Sequence, residues 1–166
     1  MKRGFFNFMR LNQHKRKTFI FDLDRTLWDF TVEYCPSIGV KDIHNYIHSS
    51  RQPILQTIQG DGHSLNIASR SKEPAICQRL LQEAYPKIHF SNKQIFWTPF
   101  EHKRTHINSI LREAGEYDEH SYRPEDFFYL FDDEQIIIDD TERAYKSTYC
   151  FHTPLGLHYG IFDVFK

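Results

Sequence analysis

Four short clusters of reactive side chains punctuate the chain: Asp22-Leu23-Asp24, Ser69-Arg70-Ser71, Lys103, and Asp132-Asp133-Glu134. Taken singly, each has an ordinary explanation. An Asp-x-Asp is common, a serine after a strand caps a helix, a lysine is a solvated charge, and an acidic pair complements a helix start. Taken together they describe phosphoryl transfer. A phosphate monoester dianion repels an incoming anion, so its site needs positive charge, hydrogen-bond donors and an in-line nucleophile. Several carboxylates in one pocket repel one another unless a divalent cation sits among them, and an all-oxygen shell suits Mg²⁺. The lysine and the serine hydroxyl then hold phosphoryl oxygens that the metal does not reach. A carboxylate nucleophile yields an acyl phosphate that water hydrolyses, which divides one difficult step into two. A second carboxylate two residues on is placed to protonate the leaving oxygen and later to deprotonate the attacking water.

These clusters act together only if the fold gathers them. Apolar runs predict strands at 17–22, 64–68, 94–97, 126–131 and 147–152. Apolar residues at helical spacing predict helices at 74–85, 103–114 and 135–146, with a shorter one at 51–59. Ser71 is the expected N-terminal cap of the helix opened by Pro74, and Gly115 the expected stop of the next. Strands that are apolar throughout and alternate with helices predict an α/β fold, a three-layer Rossmann-like arrangement. Its parallel sheet has about five strands, with helices on both faces. Ligands bind outside the carboxyl ends of such strands. Each of the four clusters follows a predicted strand, so the rule brings them to one edge.

The motifs also resemble a known family. Phe21-Asp22-Leu23-Asp24-Arg25-Thr26-Leu27-Trp28 is similar to the first motif of the haloacid dehalogenase (HAD) superfamily. Ala68-Ser69-Arg70-Ser71, Lys103, and Leu130-Phe131-Asp132-Asp133-Glu134 resemble its second, third and fourth motifs. The Leu-Trp after the first motif, the Ala-Ser-Arg and the Phe-Asp-Asp-Glu are most like the eukaryotic magnesium-dependent phosphatases of that superfamily. The resemblance implies that Asp22 is the nucleophile and a Mg²⁺ ligand. It makes Asp24 the general acid/base, with its backbone carbonyl on the metal. Ser69, Arg70 and Lys103 are then expected to bind phosphate or substrate, and Asp132 and Asp133 to complete the metal shell. Aspartate at position 24 favours phosphoester chemistry over dehalogenation, because an alkoxide needs a proton and a halide does not. Arg25 departs from the neutral residue more usual there.

Composition bounds the rest. The chain has 166 residues, 40% of them apolar, which suits one domain. Its net charge of −1 conceals a basic head: residues 1–17 hold six lysines and arginines and no acid, leaving a balance of −7 beyond them. The expected organisation is a basic lead-in at 1–17 and one phosphatase domain at 18–166, with 29–63 as a cap or loop insertion. That interval is too short for a full cap domain. A minimal cap implies an open site that admits protein side-chain phosphates as well as sugar phosphates.

The expected partners are therefore phosphorylated small molecules or phosphoproteins. Nucleic acid is disfavoured by the acidic body, and a membrane span by the lack of an apolar run of about 20 residues. No heptad seam argues for more than a monomer. Three widely spaced cysteines, Cys35, Cys77 and Cys150, make neither a disulfide framework nor a metal knuckle and suit a reducing, cytoplasmic setting, although the basic head leaves organelle targeting open. His44/His48 and His102/His106 have zinc-like spacing but no accompanying third ligand. The expected activity is Mg²⁺-dependent hydrolysis of phosphate monoesters through an aspartyl-phosphate. The alternatives are a phosphotransferase of the same fold and a non-catalytic binding domain.

Overall fold

Parallel pairing joins five strands in the order β3-β2-β1-β4-β5. The computed structural model describes residues 2–35, 38–114 and 128–166. The strands are β1 Thr18–Phe21, β2 Ser64–Ser69, β3 Phe90–Ile95, β4 Phe128–Asp132 and β5 Thr148–His152. The helices are α1 Arg3–Leu11, α2 Arg51–Gly60, α3 Pro74–Ala84, α4 Arg104–Glu113 and α5 Gln135–Ala144. Short 3₁₀ helices cover Val32–Tyr34, Val40–Tyr46 and Tyr159–Phe165. The α/β fold and all-parallel five-stranded sheet expected from the sequence are what the chain forms.

Side-chain alternation along the central strands builds a core on each face of the sheet. Phe19 and Phe21 of β1 join Tyr129 and Phe131 of β4 beneath α1, α2 and α3. Ile20, Phe128 and Leu130 point the other way, against Ile107, Ile110 and Leu111 of α4 and Ile137 and Ile138 of α5. The first core is strongly aromatic. Phe21 pairs in register with Phe131, and Phe131 with Phe151. Their rings stack at 4.7 and 4.6 Å between centroids. Phe19, Phe21, Tyr129, Phe131 and Phe151 are thus core.

Residues 3–11 of the basic head form α1, whose Phe5, Phe8 and Met9 are buried. Phe8 stands edge-on to Tyr129 and Phe151, at 5.1 and 5.4 Å, and also meets Phe162 and Phe165. Of the head's six lysines and arginines, Arg3 and Arg10 sit on this helix, whose apolar face belongs to the main core.

Between β1 and α2 the chain takes two 3₁₀ turns. Ile43 of the second is fully buried, and this turn packs on α3. The ends of the excursion are fastened together by Arg51, which is 1% exposed. Its guanidinium reaches Asp29 Oδ1 at 2.6 Å and the carbonyls of Leu157 and Leu155 at 3.0 and 3.4 Å. Gly156, at φ +81, leaves the room that this guanidinium fills.

Two expectations need correction. The third strand lies at Phe90–Ile95 rather than 94–97. It is an edge strand whose buried and exposed residues alternate, so the apolar run Ile95-Phe96-Trp97 marks only its exit. Ser71 is not the cap of α3. Glu73 holds that position, and Ser71 Oγ instead accepts the Glu73 backbone N–H at 3.1 Å. Gly115 and the start of the strand expected at 126–131 lie outside the described residues.

Truncating Phe8 to alanine tests whether α1 is structural. The expected cost is about 3–5 kcal/mol of unfolding free energy by urea titration; a loss under about 1 kcal/mol would show that α1 contributes little packing.

Candidate active site

Asp22 is the first residue past β1, and its N–H extends the ladder by donating to Phe131 O at 2.9 Å. The chain then turns tightly. Leu27 N donates to Leu23 O at 2.9 Å, and Leu23, Leu27 and Trp28 are fully buried, which anchors the turn from below. The Tyr85 hydroxyl donates to Leu27 O, and Leu157 N donates to Thr26 O at 2.9 Å. The turn is therefore held by α3 and by the segment after β5. Thr26 Oγ1 donates to Asp22 Oδ2 at 3.3 Å and also meets Thr153 Oγ1. Asp24 Oδ1 accepts from Trp28 Nε1 at 2.9 Å and from Val32 N at 3.2 Å.

Lys103, at the N-terminal cap of α4, sends its side chain into the sheet edge. Its Nζ lies 2.7 Å from Asp22 Oδ1 and 2.5 Å from Asp132 Oδ2. Lysine and Asp132 are 3% and 1% exposed, so these are buried ion pairs. Burial tends to lower the lysine's pKa, but the charges of Asp132 and Asp22 outweigh it and drive the value up. Burial pushes both carboxyls up to about 7 despite the nearby lysine, with Asp133 adding to the effect at Asp22 and Asp22 adding to it at Asp132. Burial likewise raises Asp24, while the Trp28 and Val32 donors oppose it.

Asp22, Asp132 and Asp133 bring one carboxylate oxygen each to within 4.8 Å of one another. One ammonium faces three acids, which leaves negative charge at a buried spot. An all-oxygen set of this kind fits a hard divalent cation such as Mg²⁺. Among the described residues no such cluster includes a histidine. His48 Nδ1 instead meets Ser50 Oγ at 2.7 Å, and His106 stacks on Phe96 at 4.0 Å and donates from Nε2 to its carbonyl at 2.8 Å.

Above the acids lies a cleft of about 520 Å³. Asp22, Asp24, Ser69, Arg70, Lys103 and Asp133 all line it, and Asp132 lies beneath. Every residue proposed for phosphoryl chemistry thus comes to one place, Lys103 from the start of α4 and the others from the ends of β1, β2 and β4. Ser69 ends β2, and its Oγ accepts Ser71 N at 3.2 Å. Arg70 extends along the wall, with Nη2 donating to Thr98 O at 2.6 Å and Nε buried without a hydrogen bond.

Other residues at the site were given no role from the sequence. Trp28, noted there only as part of the first motif, positions Asp24. Glu33 accepts Lys72 N at 2.7 Å across the cleft wall. Lys72 Nζ sits 4.9 Å over the Trp97 ring. Thr153 follows β5 and was open to the same strand-end rule.

A parallel sheet with this serine, lysine and set of acids at its carboxyl edge defines a HAD-type phosphatase. A family model described as acid phosphatase matches residues 15–164, and the chain belongs to that family. No curated protein matches the chain.

His106 gives the site's surroundings a pH signature. Burial lowers its pKa to about 4, with Lys103 and Arg70 acting the same way and the Phe96 and Ser69 carbonyls opposing. Its folded value lies below its unfolded one of about 6.5. The stability it contributes is therefore present above pH ~6.5 and lost as pH falls toward ~4. The raised carboxyls act in the opposite sense, so the effect is read as a difference. Wild-type protein should lose stability relative to His106→Gln over that interval; parallel urea-derived curves would contradict the assignment.

Proposed function

We propose that this acid phosphatase hydrolyses phosphate monoesters through an aspartyl-phosphate on Asp22 and depends on Mg²⁺. The observation that carries the reading is the Asp22 carboxylate, held by Lys103 beside Asp132 and Asp133 at the floor of an open cleft. Asp22, Asp132 and Asp133, with the Asp24 backbone carbonyl, would hold the metal. Bound there, Mg²⁺ supplies charge neutralisation that lets a phosphate dianion approach carboxylates.

The chain's own groups supply the remaining chemistry. An Asp22 oxygen attacks phosphorus, and the bond from phosphorus to the leaving oxygen breaks as the acyl phosphate forms. Protonated Asp24 gives its proton to that leaving oxygen, and burial favours its protonated form. The resulting Asp24 carboxylate then takes a proton from water, whose oxygen attacks phosphorus. Inorganic phosphate leaves and Asp22 is restored. Lys103 balances charge on Asp22 and Asp132 and donates to phosphoryl oxygens, and Ser69 adds a hydroxyl donor. Arg70 borders the substrate.

The first, second and fourth motifs favour the magnesium-dependent phosphatases within the superfamily. The described residues between β1 and α2, within the interval 29–63 expected to carry a cap, leave the cleft accessible, which suits protein phosphotyrosine or sugar phosphates. We place the enzyme in the cytoplasm, acting as a monomer.

The direct test is release of inorganic phosphate from an aryl phosphate in the presence of Mg²⁺. Asp22→Asn should lower kcat by at least about 10³-fold, as expected for loss of a nucleophile. Chelation should abolish turnover and Mg²⁺ should restore it. Beryllium fluoride should be retained by wild type and by Asp24→Asn, but not by Asp22→Asn. Turnover that survives Asp22→Asn would sink the covalent mechanism, and transfer to a second substrate without phosphate release would make the enzyme a phosphotransferase.

A further inference from the structure

Four cationic side chains line the cleft: Arg25, Arg70, Lys72 and Lys103. Lys103 is taken up by Asp22 and Asp132, and Arg70 is tied to Thr98 O. Arg25 and Lys72 remain. Among the described residues neither side chain has a carboxylate within ion-pair distance. Arg25 Nε makes only a long 3.4 Å contact with Thr31 Oγ1 at the surface. Lys72 Nζ lies over the Trp97 ring, which orients the ammonium without an ion pair, while the Glu33 carboxylate accepts the backbone N–H of the same residue.

Their placement follows from one segment. Residues 31–33 touch Arg25 through Thr31, Asp24 through Val32 N, and the Lys72 backbone through Glu33. Residues 31–33 thereby tie Arg25, Asp24 and the Lys72 backbone to one wall of the cleft. Arg25 is held in the left-handed region at φ 62, a conformation that disfavours a long side chain and that the pinned turn imposes. Asp24 is the group that protonates the leaving oxygen, so the wall it shares with Arg25 and Lys72 lies toward the part of the substrate that departs.

We propose that Arg25 and Lys72 form a second anion-binding point, and that the preferred substrate is a phosphate monoester whose leaving group carries a further anionic group. A carboxylate or a second phosphate answers the same chemistry. The guanidinium offers a paired N–H face and the ammonium a mobile point charge, so together they accept either. The inference rests on the phosphatase reading above, because the leaving-group side is defined by the role of Asp24.

The test compares phenyl phosphate with its para-carboxy and para-phosphonomethyl derivatives, in wild type, Arg25→Gln, Lys72→Gln and the double variant. The readout is the ratio of kcat/KM for each anionic ester to that of the parent. Intrinsic reactivity of the esters cancels between proteins. Wild type should favour at least one anionic ester, and the double variant should lower that preference by about tenfold, equivalent to about 1.4 kcal/mol. Arg25→Lys should retain part of it, and Lys87→Gln, in the turn after α3, should leave it unchanged. The carboxy and phosphonomethyl arms separate the two anion types. A ratio that does not move in the double variant overturns the proposal, as does one that Lys87→Gln moves equally.

Calorimetric binding of phenylphosphonate and its para-carboxy derivative, with Mg²⁺ present, reads the same preference without turnover. If no ester is hydrolysed, the phosphatase reading fails, and the binding ratio still decides the anion point. With the para-phosphonomethyl derivative included, equal affinity for all three phosphonates in wild type, or equal loss of all three in the double variant, would overturn it.

Discussion

One ammonium group organises the end of this sheet. Lys103 reaches from the start of α4 to acids that leave two neighbouring strands, β1 and β4, so three elements converge on a single buried charge. Removing one member of such a cluster leaves its partners charged and desolvated, which costs far more than the pair contributes as a whole. The cluster is therefore poor as a source of stability. Its value lies in holding carboxylates close together in a place they would otherwise avoid, and the values near 7 for Asp22 and Asp132 record that tension.

The sheet supplies what the cluster lacks. Aromatic rings stacked across β1, β4 and β5 fix the strand ends from below, and apolar side chains from α4 and α5 fix them from the opposite face. The turn after Asp22 then uses its own buried Leu23, Leu27 and Trp28 as an anchor. Little of the catalytic geometry depends on exposed loops, a sound arrangement for groups that must be held to fractions of an ångström.

Strand ends were legible because the signal there is dense. A short, mainly apolar run followed at once by an acid, a serine or an acidic pair is hard to read otherwise, and β1, β2 and β4 behave this way. β3 was placed late because it is an edge strand with half-buried polar residues, which an apolar run does not describe. Position 71 misled in a similar manner: a serine before a proline-led helix looks like a cap, yet its hydroxyl serves a turn one step earlier. Residues 29–50 were opaque for a different reason. Among the described residues there, the 3₁₀ turns have no long period, and what holds them is Ile43 packing on the main core and the Arg51 contact to Asp29. The partners of Asp24 and Lys72 were equally hidden, since a carboxylate's donors depend on where a later segment passes.

The Asp29–Arg51 ion pair marks a boundary of another sort. It joins the two ends of the excursion between β1 and α2, and Arg51 is itself bolted to the backbone beyond β5. Whatever lies between those two residues begins and ends at fixed points, and the entropy of closing a loop rises only slowly with its length. Beyond residues 31–33, which reach Asp24 and the cleft wall, the intervening stretch is thus a panel hung on a frame that keeps its own place.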